Sequence, residues 1–118
     1  MTNVTNSKYP INIHDKYHAH VYFDETSLDL ASDLHKQVAE NFALPVGRIH
    51  QKPVGPHTKW SFQILFGQND FDEVVPWLDA HRGDLSVLVH ADTGNDAIDH
   101  TEYAYWLGEA VKINLNGF

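Results

Sequence analysis

The sequence predicts an α+β sandwich of the ferredoxin-like type, βαββαβ with a C-terminal extension. Three observations carry the fold. Residues 17–23 and 58–66 alternate apolar and polar side chains with the two-residue period of half-buried strands. Each of those strands is followed by apolar positions at helical spacing. The length of 118 residues suits one domain with its own core.

In chain order, residues 1–14 are a polar arm and residues 15–118 the single domain. In the first strand Tyr17, Ala19, Val21 and Phe23 share one face, and His18, His20 and Tyr22 the other. Asp24 or Thr26 caps a helix over about residues 27–42, with Leu28, Leu30, Ala31, Leu34, Val38 and Phe42 as its apolar stripe. A second strand is expected near 45–53, carrying Arg48, His50 and Lys52 on one side. VGPH at 54–57 is a turn, because a Gly-Pro pair cannot continue a strand ladder. The third strand turns Trp60, Phe62, Ile64 and Phe66 inward and Ser61, Gln63 and Leu65 outward. Asn69 or Asp70 caps the second helix, which runs to about His81 and contains Pro76. LSVLVHA forms the fourth strand, and the tail holds a short helical piece and one more edge strand. Right-handed crossovers then give the antiparallel order 4-1-3-2.

Composition narrows the function. Sixteen acidic against eight basic residues give a net charge of −8, which disfavours nucleic acid and anionic membrane as partners. Cysteine is absent, removing disulfides, thiolate metal sites and cysteine nucleophiles. No apolar run approaches the roughly 20 residues of a bilayer span, and residues 1–15 lack a signal-peptide layout. A cytoplasmic domain acting on a small molecule is the expectation.

Nine histidines are the richest chemical signal. Helices cover one sheet face, so His18, His20 and Tyr22 lie on the other, beside Ser61, Gln63, Leu65, Ser86, Leu88 and His90. The first and fourth strands are antiparallel neighbours, which brings His90 toward His18 and His20. Residues two apart on a strand stand about 7 Å apart, close enough for two imidazoles to share a transition metal. The spacing permits a metal site without requiring one, since polar residues on an open or dimer-facing surface give the same pattern. His57 lies nominally at the opposite end and joins only if its loop folds over the face. His100 can approach from the loop after His90, with Asp99 as its orienting partner. His14, His35, His50 and His81 read as surface or interface residues. No Ser-His-Asp order and no phosphate loop is present.

HAHVYFD (18–24), VGPHTKWSFQILF (54–66), PWL (76–78) and SVLVHADTGNDAIDHTEYAYWLG (86–108) together resemble the DOPA 4,5-dioxygenase family, over roughly residues 15–110. The resemblance implies a small, usually dimeric α+β enzyme that binds non-haem Fe(II) and opens a catechol such as DOPA with O2, extradiol fashion. Zn or Ni can occupy such a site. Residue by residue it implies His20, His57 and His90 as metal ligands. His18 serves as an alternative ligand or base, and His100 and Tyr22 as groups acting on the substrate. Arg48 and Gln63 are substrate-contact candidates, Arg48 by a bidentate grip on a carboxylate. A carboxylate ligand could come from Asp92, Asp99 or Glu102. The chain departs from the family pattern in HADTG, where a proline is expected after the histidine. Competing functions are a dimeric metal- or ligand-binding module without turnover, and a cofactor-free oxygenase or isomerase.

Overall fold

The strand that carries the histidine pair, β1 (Lys16–Phe23), lies inside the sheet, with a neighbour on each side. The computed structural model describes residues 8–118. Chain order is β1, α1 (Leu28–Asn41), β2 (Trp60–Gly67), α2 (Phe71–His81), β3 (Val87–Ala91), α3 (Asp96–Asp99) and β4 (Ala104–Leu107). The four strands form one sheet in the order β2-β1-β3-β4, antiparallel throughout.

Local chemistry starts the first helix as expected. Asp24 Oδ1 accepts from the backbone N–H of Thr26 (2.9 Å) and Ser27 (3.2 Å), while Ser27 Oγ accepts from Asp24 N–H (3.0 Å). That reciprocal cap opens a short 3-10 turn, Glu25–Ser27, which runs into α1. Ala31, Leu34 and Val38 of α1, and Phe71, Val74, Val75 and Leu78 of α2, are buried in one core cluster with Tyr17, Ala19, Val21, Phe62, Ile64, Val87 and Val89. Burying each large apolar side chain here is worth about 1.5–3 kcal/mol. These are the odd positions of β1, the even positions of β2 and the odd positions of β3, so the other parity faces away from the helices.

The predicted second strand is corrected in detail. Residues 45–53 follow the outer edge of β2 but form only two isolated bridges, Val46 to Ile64 and His50 to Ser61. Four steps from Val46 to His50 oppose three from Ser61 to Ile64, so the register slips by one residue between the bridges. Pro45 and Gly47 add to the irregularity, and the His35 imidazole bonds the Gly47 carbonyl at 2.9 Å, pinning the bulged segment to α1. His35, read as a surface or interface residue, is therefore a structural tie. Apart from this segment, the expected neighbour order around β1 holds, and the predicted edge strand of the tail is β4 against β3.

The first seven residues of the predicted arm lie outside the described residues. Its remainder is anchored: Tyr17 Oη accepts from the N–H groups of Ile13 (2.9 Å) and His14 (2.8 Å), and the Lys8 carbonyl accepts from Trp106 N–H at 2.7 Å. His14 packs on Tyr103 and bonds Tyr105 Oη at 2.8 Å instead of standing in solvent. Among the described residues, no helix is long and apolar enough to cross a membrane.

Candidate metal centre

Strand register sets the site. His18 is directly opposite His90 on β3 and Leu65 on β2, while His20 is opposite Leu88 and Gln63. Cross-strand partners project to the same face, so three imidazoles from two strands converge. His20 Nε2 and His90 Nε2 are 2.9 Å apart. One ligand atom from each of His18, His20 and His90 lies within 4.8 Å of the others.

The face is polar yet buried, because two segments fold over it. Gly55, at φ +55°, turns the 54–57 segment back across the sheet, a conformation that side-chain-bearing residues rarely adopt. His57 thereby becomes 7 % exposed and sits with its ring 4.2 Å from that of His20. Gly108, at φ +76°, redirects the chain after β4; a Cβ there would lie 2.7 Å from Arg82 Nη1. The tail then locks to the loop: Thr58 Oγ1 donates to the Lys112 carbonyl at 2.6 Å and Asn114 N–H to the Pro56 carbonyl at 2.7 Å. His57 therefore reaches the cluster within its own chain.

Hydrogen bonds fix how each imidazole carries its proton. His90 Nδ1–H donates to the Ala91 carbonyl at 2.8 Å, leaving Nε2 with its lone pair facing the cluster. His20 then donates its Nε2–H to that lone pair, a proton that a metal ion would replace. Tyr22 Oη and His57 Nδ1 are 2.6 Å apart and both groups are buried. Burial raises the phenol's pKa, so Tyr22 keeps its proton and donates it to Nδ1, leaving the His57 proton on Nε2. His100 donates Nδ1–H to the Asp96 carbonyl (2.8 Å), so its Nε2 is free to accept; its ring stands 4.2 Å from that of His90. Phe118 stacks on His100 at 4.6 Å.

Burial keeps the centre neutral. Desolvation, and then the neighbouring imidazoles, lower His20 well below the usual histidine range. Desolvation first, then His100 and His50, lower His57 to about 4. His90 falls to about 3, chiefly by desolvation, against the opposing pull of its bond to the Ala91 carbonyl. Neutral imidazole is the form that binds metal.

The donor set fits an ion. With metal–nitrogen bonds of roughly 2.1 Å, two nitrogens separated by the observed 2.9 Å subtend about 90°, the angle between adjacent ligands of an octahedral ion. His18 is held at the cluster's open side, where its Nε2 lies 3.4 Å from Asp92 Oδ2 and its side chain is 24 % exposed.

The other expected residues divide. Gln63 is half-buried in the same cross-strand row as His20. Arg48 is exposed on the bulged segment beyond β2. Asp99 does not orient His100; its carboxylate is clasped by Thr93, accepting from N–H at 2.8 Å and Oγ1 at 2.7 Å. Glu102 is exposed. A cleft of about 270 Å³ opens beside His18, lined by Lys16, Leu44, Pro45, Leu65, Asp70 and Asp92 among others. Sequence reading missed this cleft, although Lys16 shares the parity of His18 and His20. A second cleft of about 420 Å³, at the far end of β1, has a mainly acidic rim of Asp24, Asp84 and Glu109 and touches none of the four imidazoles of His18, His20, His57 and His90.

Comparisons with known proteins show what this chain is similar to. The model of the Dopa 4,5-dioxygenase family matches residues 17–117. A DOPA 4,5-dioxygenase of Amanita muscaria is 30% identical over 109 residues, covering 85% of this chain and 48% of the fungal protein. An uncharacterized 21.2 kDa protein of Botryotinia fuckeliana is 30% identical over 116 residues, covering 88% of this chain and 63% of its own. The chain thus spans about half to two thirds of these relatives. The crystal structure of a candidate dioxygenase from Nostoc punctiforme superposes with a TM-score of 0.83 at 43% identity, covering 86% of this chain and 89% of that one.

Proposed function

Because this chain belongs to the Dopa 4,5-dioxygenase family, we propose that it is a metal-dependent dioxygenase that opens the ring of a catechol. The single observation that carries the metal assignment is the buried His20–His90 pair, whose Nε2 atoms meet at 2.9 Å from two paired strands. His20 and His90 hold the ion, and His18 completes the set from the open side. His57, which the family resemblance offers as a ligand, has Nδ1 engaged by Tyr22 and lies outside the three imidazoles whose ligand atoms converge, so we place it as a donor toward the cluster.

Bound ferrous iron would supply Lewis acidity toward the catechol oxygens and the redox activity that oxygen insertion needs. The protein's part follows from its own groups. Leu44, Pro45 and Leu65 present apolar surface to the substrate ring in the cleft beside His18. His100, anchored through Nδ1 to the Asp96 carbonyl, presents Nε2 to accept a catechol proton and return it later. The 54–58 loop, bonded to the tail, shields the buried imidazoles of His20 and His57 from water. A homodimer remains our expectation for the assembly.

The test is oxygen uptake with a catechol after anaerobic loading with Fe(II). The reading predicts one O2 consumed per ring opened, loss of turnover with a stringent chelator, and loss in His20→Ala and His90→Ala. Ring cleavage that persists without metal would move the protein to the cofactor-free class, and metal binding without turnover to the binding-module class.

A further inference from the structure

We infer that Lys16 selects catechols carrying an anionic substituent, an assignment that rests on the catechol reading above and adds the substrate's charge to it. The cleft beside His18 touches the candidate metal set, and Lys16 is its one basic side chain apart from the histidine. Lys16 precedes His18 by two residues on β1, so the two project to the same face, about 7 Å apart at Cα. Its cross-strand partner is Gly67, which has no side chain to cover the lysine stem.

Each of the two carboxylates of the cleft has a partner other than Lys16. Asp92 faces His18 at 3.4 Å, and Asp70 Oδ2 accepts from Gly67 N–H at 3.0 Å. Among the described residues no carboxylate lies within ion-pair distance of the Lys16 ammonium, and the side chain is exposed. A ring with its hydroxyls toward His18 and its flat faces against Leu44, Pro45 and Leu65 would direct its far substituent toward that ammonium. In a chain of net charge −8, a local cation is what allows an anion to approach. Arg48 cannot be assigned this task on the same grounds, since it does not line the cleft.

The experiment compares equilibrium binding of 3,4-dihydroxybenzoate and 4-methylcatechol to the Zn(II)-loaded protein by calorimetry. Wild type should prefer the carboxylate by about 5- to 10-fold, the scale of one partly solvated ion pair. K16Q should erase the preference and K16E reverse it, K16R should retain it, and the affinity for 4-methylcatechol should stay constant. Added salt should weaken only the anionic ligand in wild type. Equal affinity of wild type and K16Q for 3,4-dihydroxybenzoate, or no binding by wild type, overturns the inference. The dioxygenase reading fails separately, by the absence of oxygen uptake on either catechol with Fe(II), and that result leaves the binding comparison in force.

Discussion

His20 Nε2 and His90 Nε2 face each other at 2.9 Å across a buried strand pair, with the His90 proton committed to the Ala91 carbonyl on the far side of its ring. The arrangement is self-consistent without an ion, as an N–H···N hydrogen bond. It is equally consistent with one, as two adjacent ligands. What separates the two states is a single proton on His20.

Replacing either histidine should therefore abolish metal retention. His20→Ala and His90→Ala are each expected to weaken Zn(II) or Fe(II) binding by more than about 100-fold, beyond the 10–100-fold that loss of an outer partner costs. His18→Ala should fall in the same class and His57→Ala in the milder one. Competition with a chromophoric chelator reads all four. A reversed order for His18 and His57 would make His57 the third ligand.

Acid should unfold the metal-free protein through the same residues. In the folded state His90 titrates near 3 and His57 near 4, and His20 well below its ordinary value; unfolded, all three titrate near 6.5. The unfolded chain therefore binds more protons between pH 6.5 and about 4, so stability is full above 6.5 and falls as pH drops. Each such site contributes at most about 1.4 kcal/mol per pH unit in that window. Thermal unfolding across pH 4–8 should show a steep acid loss in the metal-free protein, displaced to lower pH by bound Zn(II). A flat profile would mean that the imidazoles are hydrated in solution.

The phenol of Tyr22 offers a cleaner substitution. Tyr22→Phe keeps the ring packed against Trp106, at 5.9 Å between centroids, and removes only the donor to His57 Nδ1. A buried acceptor left unpaired costs about 1–3 kcal/mol. The variant should melt several degrees lower while His20 and His90 still bind metal. In its NMR spectrum the His57 ring should shift its proton from Nε2 toward Nδ1. An unchanged tautomer would show that the phenol was not the donor.

How far this site was legible in the sequence depends on how local its determinants are. The two-residue strand period puts His18, His20 and Tyr22 on one face, and antiparallel adjacency carries His90 to them; both rules act over short distances. His57 is different. Its approach depends on Gly55 holding a positive φ and on the tail hydrogen-bonding the loop, and the spacing of GPH encodes neither. Only the family resemblance brought it in. Arg48 stands apart from the imidazoles for a related reason: alternation over 45–53 implies a strand face, but the one-residue slip between Val46 and His50 disperses it. Asp99 shows the limit of proximity in sequence, since adjacency to His100 suggested an orienting bond that its side chain makes instead to Thr93.

That clasp yields the last prediction. Asp99 is 1 % exposed and closes the 93–99 loop by accepting both the N–H and the hydroxyl of Thr93. Asp99→Ala leaves two donors without their acceptor and should destabilise the fold by about 2–3 kcal/mol. Asp99→Asn, which retains one acceptor oxygen, should lose less. Because His20 and His90 stand on paired strands and not on this loop, Zn(II) affinity should change by less than about 10-fold in either variant. Turnover should fall further than affinity, since the loop carries His100, bonded through Nδ1 to Asp96. Thermal melts and chelator competition on the same samples separate these effects. A drop in metal affinity as large as that of His90→Ala would instead make Asp99 a ligand, with the Thr93 clasp opening when the ion binds.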